Sequence, residues 1–152
     1  MNNISYKWIC KSFEDLTPAE LYAILQLRNA VFVVEQNCVF QDADDKDQLC
    51  FHLMAWHNES LAAYTRLVPA GISFKEISIG RVATSSHYRK LGLGRELMNH
   101  SIETIWKLFG RDNIRIGAQL YLKKFYESLG FNQVSEIYLE DDIEHIEMLK
   151  FI

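Results

Sequence analysis

The chain has 152 residues, 49% of them hydrophobic and 24% charged, with only two prolines. That describes one domain with enough apolar surface for a core, and residues 1–152 hold no linker, repeat or composition break that would divide it. A net charge of −4 excludes broad binding to nucleic acid or to an anionic membrane, both of which require a basic face.

Residues 4–10, ISYKWIC, alternate like a strand. TPAE at 17–20 starts a helix: Thr17 caps, Pro18 suits the first turn and Glu20 completes a capping box. The apolar face of that helix runs through Leu21, Ile24, Leu25, Arg28 and Phe32. The acidic run DADDKD at 42–47 does not fit a calcium loop. Started at Asp42, such a loop has Asp47 where glycine is needed and Leu53 where glutamate is needed, so a solvated loop is expected.

FHLMAWH (51–57) and SLAAYTRLV (60–68) read as two strands joined through Asn58 and Glu59, and EISIGRVAT (76–84) as a third. From Gly92 the pattern turns helical, with Leu93, Leu97, Met98, Ile102, Ile105 and Leu108 on one side. IRIGA (114–118) is a short strand, YLKKFYESLG (121–130) a helix closed by Gly130 in a left-handed cap, and the tail a hairpin around Glu140, Asp141 and Asp142. The order β-α-β-β-β-α-β-α-β-β predicts an α/β domain with a largely antiparallel front and at least one β-α-β crossover.

No apolar run reaches the ~20 residues of a membrane helix, and the opening MNNISYKW lacks a signal-peptide profile. Cys10, Cys38 and Cys50 have no metal-like spacing. A cytoplasmic protein with reduced thiols and no metal is expected.

Against the acidic background, HYRKLGLGREL at 87–97 is conspicuous. A strand leads into it and a helix out of it. The first turn of a helix leaves about four amides unpaired and carries roughly half a positive charge. Gly92 and Gly94 let those amides approach a bulky anion, and Arg89, Lys90 and Arg95 add full charges, a combination suited to a pyrophosphate. Neither a Walker loop nor the GxGxxG dinucleotide fingerprint is present.

The segment RVATSSHYRKLGLGRELM (81–98) resembles the acyl-CoA loop of the GNAT superfamily of N-acetyltransferases, matching at Arg89, Lys90, Leu91, Gly92, Leu93 and Gly94. GAQLYLKKFYESLGF (117–131) is similar to that superfamily's strand-helix unit ending in Phe-Tyr, three residues, Gly-Phe. LRNAVFVVEQN (27–37) and YLEDDIEHIEM (138–148) look like its ElaA-type branch. The resemblance implies the GNAT fold, a mixed and mostly antiparallel sheet of six to seven strands flanked by helices, with acetyl-CoA as acyl donor. It implies that the backbone of Val82, Ala83 and Thr84 pairs with the pantetheine arm and that amides from Arg89 to Arg95 hold the pyrophosphate. It also implies that Gln119 reaches the pantetheine amides and that Tyr126 lies near the sulfur. Lys90 departs from the common pattern, standing where glycine is frequent, as does Thr84 at a position that is usually apolar.

Acyl transfer from a thioester to an amine needs a neutral amine, a stabilised carbonyl oxygen and a departing thiolate. With a pKa near 10.4, only about 1 in 2,000 lysine-like amines is neutral at pH 7, so a base is required. Glu35, His52, Glu76 and His145 are the candidates; Glu35 and His145 are favoured because the family places its substrate cleft near them. A strand amide near Val82 or Thr84 would stabilise the oxygen by roughly 3–4 kcal/mol. Tyr126 is the candidate proton donor to the thiolate. No cysteine lies in the two motifs, which favours direct attack in a ternary complex. Arg28 is expected to be a buried ion-pair partner, while Arg66 and Arg81 stay open between ion pair and substrate clamp. The expected acceptor is a small-molecule or peptide amine. Two other readings are kept: an acyl-homoserine-lactone-synthase-like acyltransferase, which Arg28 to Phe32 resembles locally, and a CoA-binding sensor without catalysis. Antiparallel sheet domains of this size commonly dimerise, which leaves a homodimer open.

Overall fold

A computed structural model describes residues 4–152. Strand β1 (Lys7–Ser12) leads by a short turn to helix α1 (Pro18–Arg28). The helix starts where the sequence says it should: Thr17 Oγ1 accepts from the Glu20 amide at 3.1 Å, and Glu20 Oε1 accepts from the Thr17 amide at 2.8 Å. The α-helical path ends at Arg28, short of the expected Phe32. Beyond it Asn29–Glu35 widen into a π-helical segment, which brings Glu35 and Gln36 to the lining of the central cleft.

Strands β2 (Phe51–His57), β3 (Ser60–Val68) and β4 (Ile77–Thr84) form an antiparallel meander with β1. Helix α2 (Leu93–Phe109) crosses over to β5 (Ile114–Gln119), which lies parallel to β4. Leu93, Leu97, Met98, Ile102 and Ile105 are buried along α2, whereas Leu108 is exposed. A 3₁₀ turn at Leu120–Leu122 shortens the next helix, α3, to Lys123–Glu127. Gly130 has φ +93°, the left-handed conformation expected of it.

The chain then forms β6 (Phe131–Gln133), a strand absent from the sequence reading, followed by β7 (Tyr138–Glu140) and β8 (Ile143–Lys150). Asp141 and Asp142 turn the β7–β8 hairpin with φ of 51° and 64°. The sheet order is β1-β2-β3-β4-β5-β8-β6, and β7 also pairs with β8. His145 of β8 faces Gln119 of β5 on one side and Tyr138 of β7 on the other, so β6 and β7 share one edge position. The result is the expected mixed, mostly antiparallel sheet with flanking helices, with eight strands among the described residues where six to seven were expected.

Alternation along the strands sorts the core onto two faces. Leu53 and Ala55 pack with α2, while Met54, Tyr64 and Ala83 pack with Ile24, Leu27 and Val31 from the first helical region. Burial of each such large aliphatic side chain contributes about 1.5–3 kcal/mol.

The acidic run is not a solvated loop. Asp42 and Asp47 are buried and meet three guanidinium groups: Arg28 binds Asp42 Oδ2 and Asp47 Oδ1, each at 2.7 Å, Arg66 binds Asp47 and Asp44, and Arg81 binds Asp42 and Asp44. Arg28 is thus the buried ion-pair partner expected of it, and Arg66 and Arg81 join the same network. Only Ala43 and Asp45 of the run are exposed.

Candidate active site

The sheet is joined weakly at one seam. Strands β4 and β5 pair only at Ile77 with Ile114 and Ser78 with Arg115, then separate. The cause lies in β4. Arg81 and Val82 together oppose Thr65, a bulge in which Arg81 takes φ +51° and bends the strand. Arg81 is held in that strained conformation by Asp42 Oδ1 at 2.8 Å, the Asp42 carbonyl at 3.0 Å and Asp44 Oδ2 at 3.3 Å.

Beyond the bulge, the Ser85 amide donates to Ala62 O. Alternation of the antiparallel ladder then commits the backbone of Ala83 to β3 and turns that of Thr84 toward the split. Val82 and Thr84 line the split, whereas Ala83 is buried in the core. The cleft so formed has a volume of about 1080 Å³ and runs from the start of α2 to the β7–β8 hairpin.

At one end lies the glycine loop. Gly92 has φ +76°, and a Cβ built on it would meet nothing within 4 Å. One built on Gly94 would meet only Phe125 Cζ at 4.0 Å. The first α2 bond runs from the Glu96 amide to Gly92 O, so the amides of Leu93, Gly94 and Arg95 have no partner within the helix. Leu93 anchors the turn in the core, and Leu91 and Lys90 are exposed, with Lys90 at φ +64°. That left-handed backbone accounts for a glycine being usual there.

The charges around the loop are not all directed at its amides. Arg95 Nη2 donates to Ser128 Oγ at 2.8 Å, and its guanidinium lies over the Phe125 ring. Arg89 folds back, with Nε and Nη2 donating to Thr84 O at 3.1 and 2.9 Å and two nitrogens gripping the Glu35 carboxylate. The Arg89 hydrogen bond and charge hold the Glu35 carboxyl below the usual carboxylate range.

At the centre, Tyr126 is 5% exposed and lines the cleft, and burial, with a further contribution from Tyr121, pushes its phenol well above the ordinary value. It therefore keeps its proton. Gln119 ends β5 and exchanges two amide hydrogen bonds with Gln36, at 3.3 and 3.2 Å.

His145 borders the opposite half of the cleft. Its Nδ1 lies 2.7 Å from Ile143 O, and a carbonyl can only accept, so in the neutral ring Nδ1 is the nitrogen that carries the hydrogen and Nε2 is the acceptor. Glu140 Oε2 is 3.5 Å from Nε2, and Tyr138 stacks against the ring at 5.8 Å. The two remaining candidates lie elsewhere. His52 is fully buried between Tyr64 Oη (2.6 Å) and Asp47 O (2.9 Å), and burial pushes its imidazole below the usual range. Glu76 is tied to Arg115 by two bonds of 2.9 and 3.0 Å and does not line the cleft.

Gln36, Phe74 and Tyr138 line the cleft without having been singled out in the sequence. A Cβ on Gly117 would lie 3.2 Å from Tyr138 Oη, so the glycine leaves room for that phenol. Among the described residues, no group of three or more His, Cys, Asp or Glu is disposed to hold a metal ion, and no helix is long and apolar enough to cross a membrane.

Comparison with known proteins agrees with this geometry. The family model described as the acetyltransferase (GNAT) domain matches residues 19–151. Protein ElaA of Escherichia coli (strain K12) is 40% identical over 146 residues, 95% of each chain. The crystal structure of Escherichia coli ElaA superposes with a TM-score of 0.90 at 38% identity, covering 96% of this chain and 99% of that one. An acyl-CoA N-acyltransferase from Pseudomonas aeruginosa superposes at 0.92 with 44% identity over the same shares. With its split sheet and open glycine turn, this chain belongs to the GNAT superfamily of acetyltransferases, in the ElaA-type branch.

Proposed function

We propose that this GNAT acyltransferase moves an acetyl group from acetyl-CoA to a primary amine of a small molecule or protein, by direct attack in a ternary complex. The observation that carries the reading is the seam between β4 and β5, which ends in the unpartnered amides of Leu93, Gly94 and Arg95 and has Tyr126 beneath it. The residues fit such a donor. Any side chain at Gly92 or Gly94 would stand in the open space an anion needs, and the Gly92 conformation disfavours one. The loop amides and Lys90 would hold the diphosphate. The cleft-facing backbone of Val82 and Thr84 would pair with an extended arm, and Gln119 would orient it.

Acetyl-CoA supplies an acyl group activated as a thioester. The protein's own residues then handle the protons. His145 Nε2 takes the proton of the attacking amine, with Glu140 balancing the charge that the imidazole acquires. Tyr126 holds its phenolic proton ready for the departing sulfur, and Val82 or Thr84 offers an amide to the carbonyl oxygen. The thiols favour no covalent alternative: burial pushes Cys10 and Cys50 up to about 11, and the Cys38 thiol is also raised, by desolvation first and then by the charges of Asp141 and Asp142.

The test combines purified protein, acetyl-CoA and pooled amines or peptides, with thiol release followed in solution and acetylated products identified by mass spectrometry. Coenzyme binding without thiol release over a broad amine panel would replace catalysis with sensing.

A further inference from the structure

Glu35 and Arg89 meet across the mouth of the cleft, and their arrangement does more than neutralise two charges. Arg89 Nη1 reaches Glu35 Oε2 at 2.5 Å and Nη2 reaches Oε1 at 2.8 Å, while Nε and Nη2 both point at Thr84 O. A carbonyl oxygen has two lone pairs. The acceptor at the open end of β4 is therefore filled by a side chain of the same protein. On the other lip, Gln36 and Gln119 exchange their amide bonds. The end of the π-helical segment is thus fastened to both edges of the split.

An extended arm lying along Thr84 has to take over that carbonyl, and the guanidinium cannot stay on it at the same time. The side chains of Arg89 and Glu35 are 40% and 37% exposed, so moving them disturbs no core packing. Arg89 also opens the loop whose amides face the anion site, so a bound diphosphate is its natural alternative partner.

We propose that Glu35 is a positioning residue that holds Arg89 on the Thr84 carbonyl in the free protein, in competition with coenzyme A, and that the docking coenzyme draws Arg89 off both groups. This rests on the donor site proposed above. It makes Glu35 an ion-pair partner of Arg89 in the resting enzyme, released when the donor is in place.

The experiment is calorimetric titration of the full chain with coenzyme A. Glu35→Gln removes the competitor and is expected to tighten binding about fivefold, the scale of one exposed ion pair. In an Arg89→Ala background the same change is expected to alter Kd by less than about 1.5-fold, because its effect passes through Arg89. Weaker or unchanged binding by Glu35→Gln overturns the proposal, as does a tightening that persists without Arg89. A wild-type chain that binds no coenzyme overturns the donor site as well, a result separate from either of these.

Discussion

Asp47 is the point at which the charge network can be tested most directly. One of its oxygens accepts from Arg28 Nη1 at 2.7 Å and from Arg66 Nη1 at 2.9 Å, and the two arginine side chains are 1% and 4% exposed. Asp47→Asn keeps the shape and one acceptor but removes the charge, leaving three guanidinium groups facing the carboxylates of Asp42 and Asp44. Removing one partner of a buried pair costs about 3–5 kcal/mol, and the retained acceptor favours the lower end. For a domain of this size that corresponds to a fall of roughly 10 °C in Tm. Equilibrium unfolding in urea and thermal melts measure it, with exposed, unpaired Asp45→Asn as the control, expected within about 0.5 kcal/mol of wild type. An Asp47→Asn protein within about 1 kcal/mol of wild type would refute the idea that these charges are coupled.

The same network sets acid sensitivity. Burial alone would raise the Asp44 carboxyl, but the hydrogen bonds and charge of Arg66, with Arg81 beside it, outweigh burial and hold it at about 2. A carboxyl held below its unfolded value of about 3.9 contributes stability above that pH and loses it as pH falls through about 4 to 2. Unfolding free energy should therefore drop across that window, and less steeply in Asp44→Asn. Tyr126→Phe should lower kcat roughly 10- to 100-fold while coenzyme affinity stays constant, as read by thiol release and calorimetry. Gly92→Ala forces a side chain into φ +76° and should weaken coenzyme binding several-fold and cost about 1–2 kcal/mol in urea unfolding. In Gly130→Ala the added Cβ would stand 2.5 Å from Lys150 Nζ, at φ +93°; a loss of about 1–3 kcal/mol is expected, together with the Lys150 bond to Leu129 O.

Local chemistry was legible in the sequence. The Thr17–Glu20 box, the Asn58 turn, the Asp141–Asp142 hairpin and the left-handed Gly130 each depend on residues within a few positions of one another, and the structure has all four. What escaped the sequence depends on distant partners. The acidic run looks solvated because its arginines lie 14 to 39 residues away, on α1, β3 and β4. The π-helical segment keeps an apolar pattern that an α-helix would share, and β6 has only three residues in which to show alternation. In the candidate site, the glycine turn could be placed from spacing. The direction of the Arg89 side chain could not, since Glu35 lies 54 residues earlier in the chain.

The bulge at Arg81 leaves two half-sheets stitched together at Ile77 and Ser78, with Arg115 bolted to Glu76 beside the stitch. A guest that lends its own polar edge to Thr84 would make the interrupted ladder continuous. At that seam recognition and folding become the same act: hydrogen exchange should slow at Thr84 on docking while Ala83, already paired with β3, barely changes. The place where this sheet is least finished is where it is best prepared to receive another molecule.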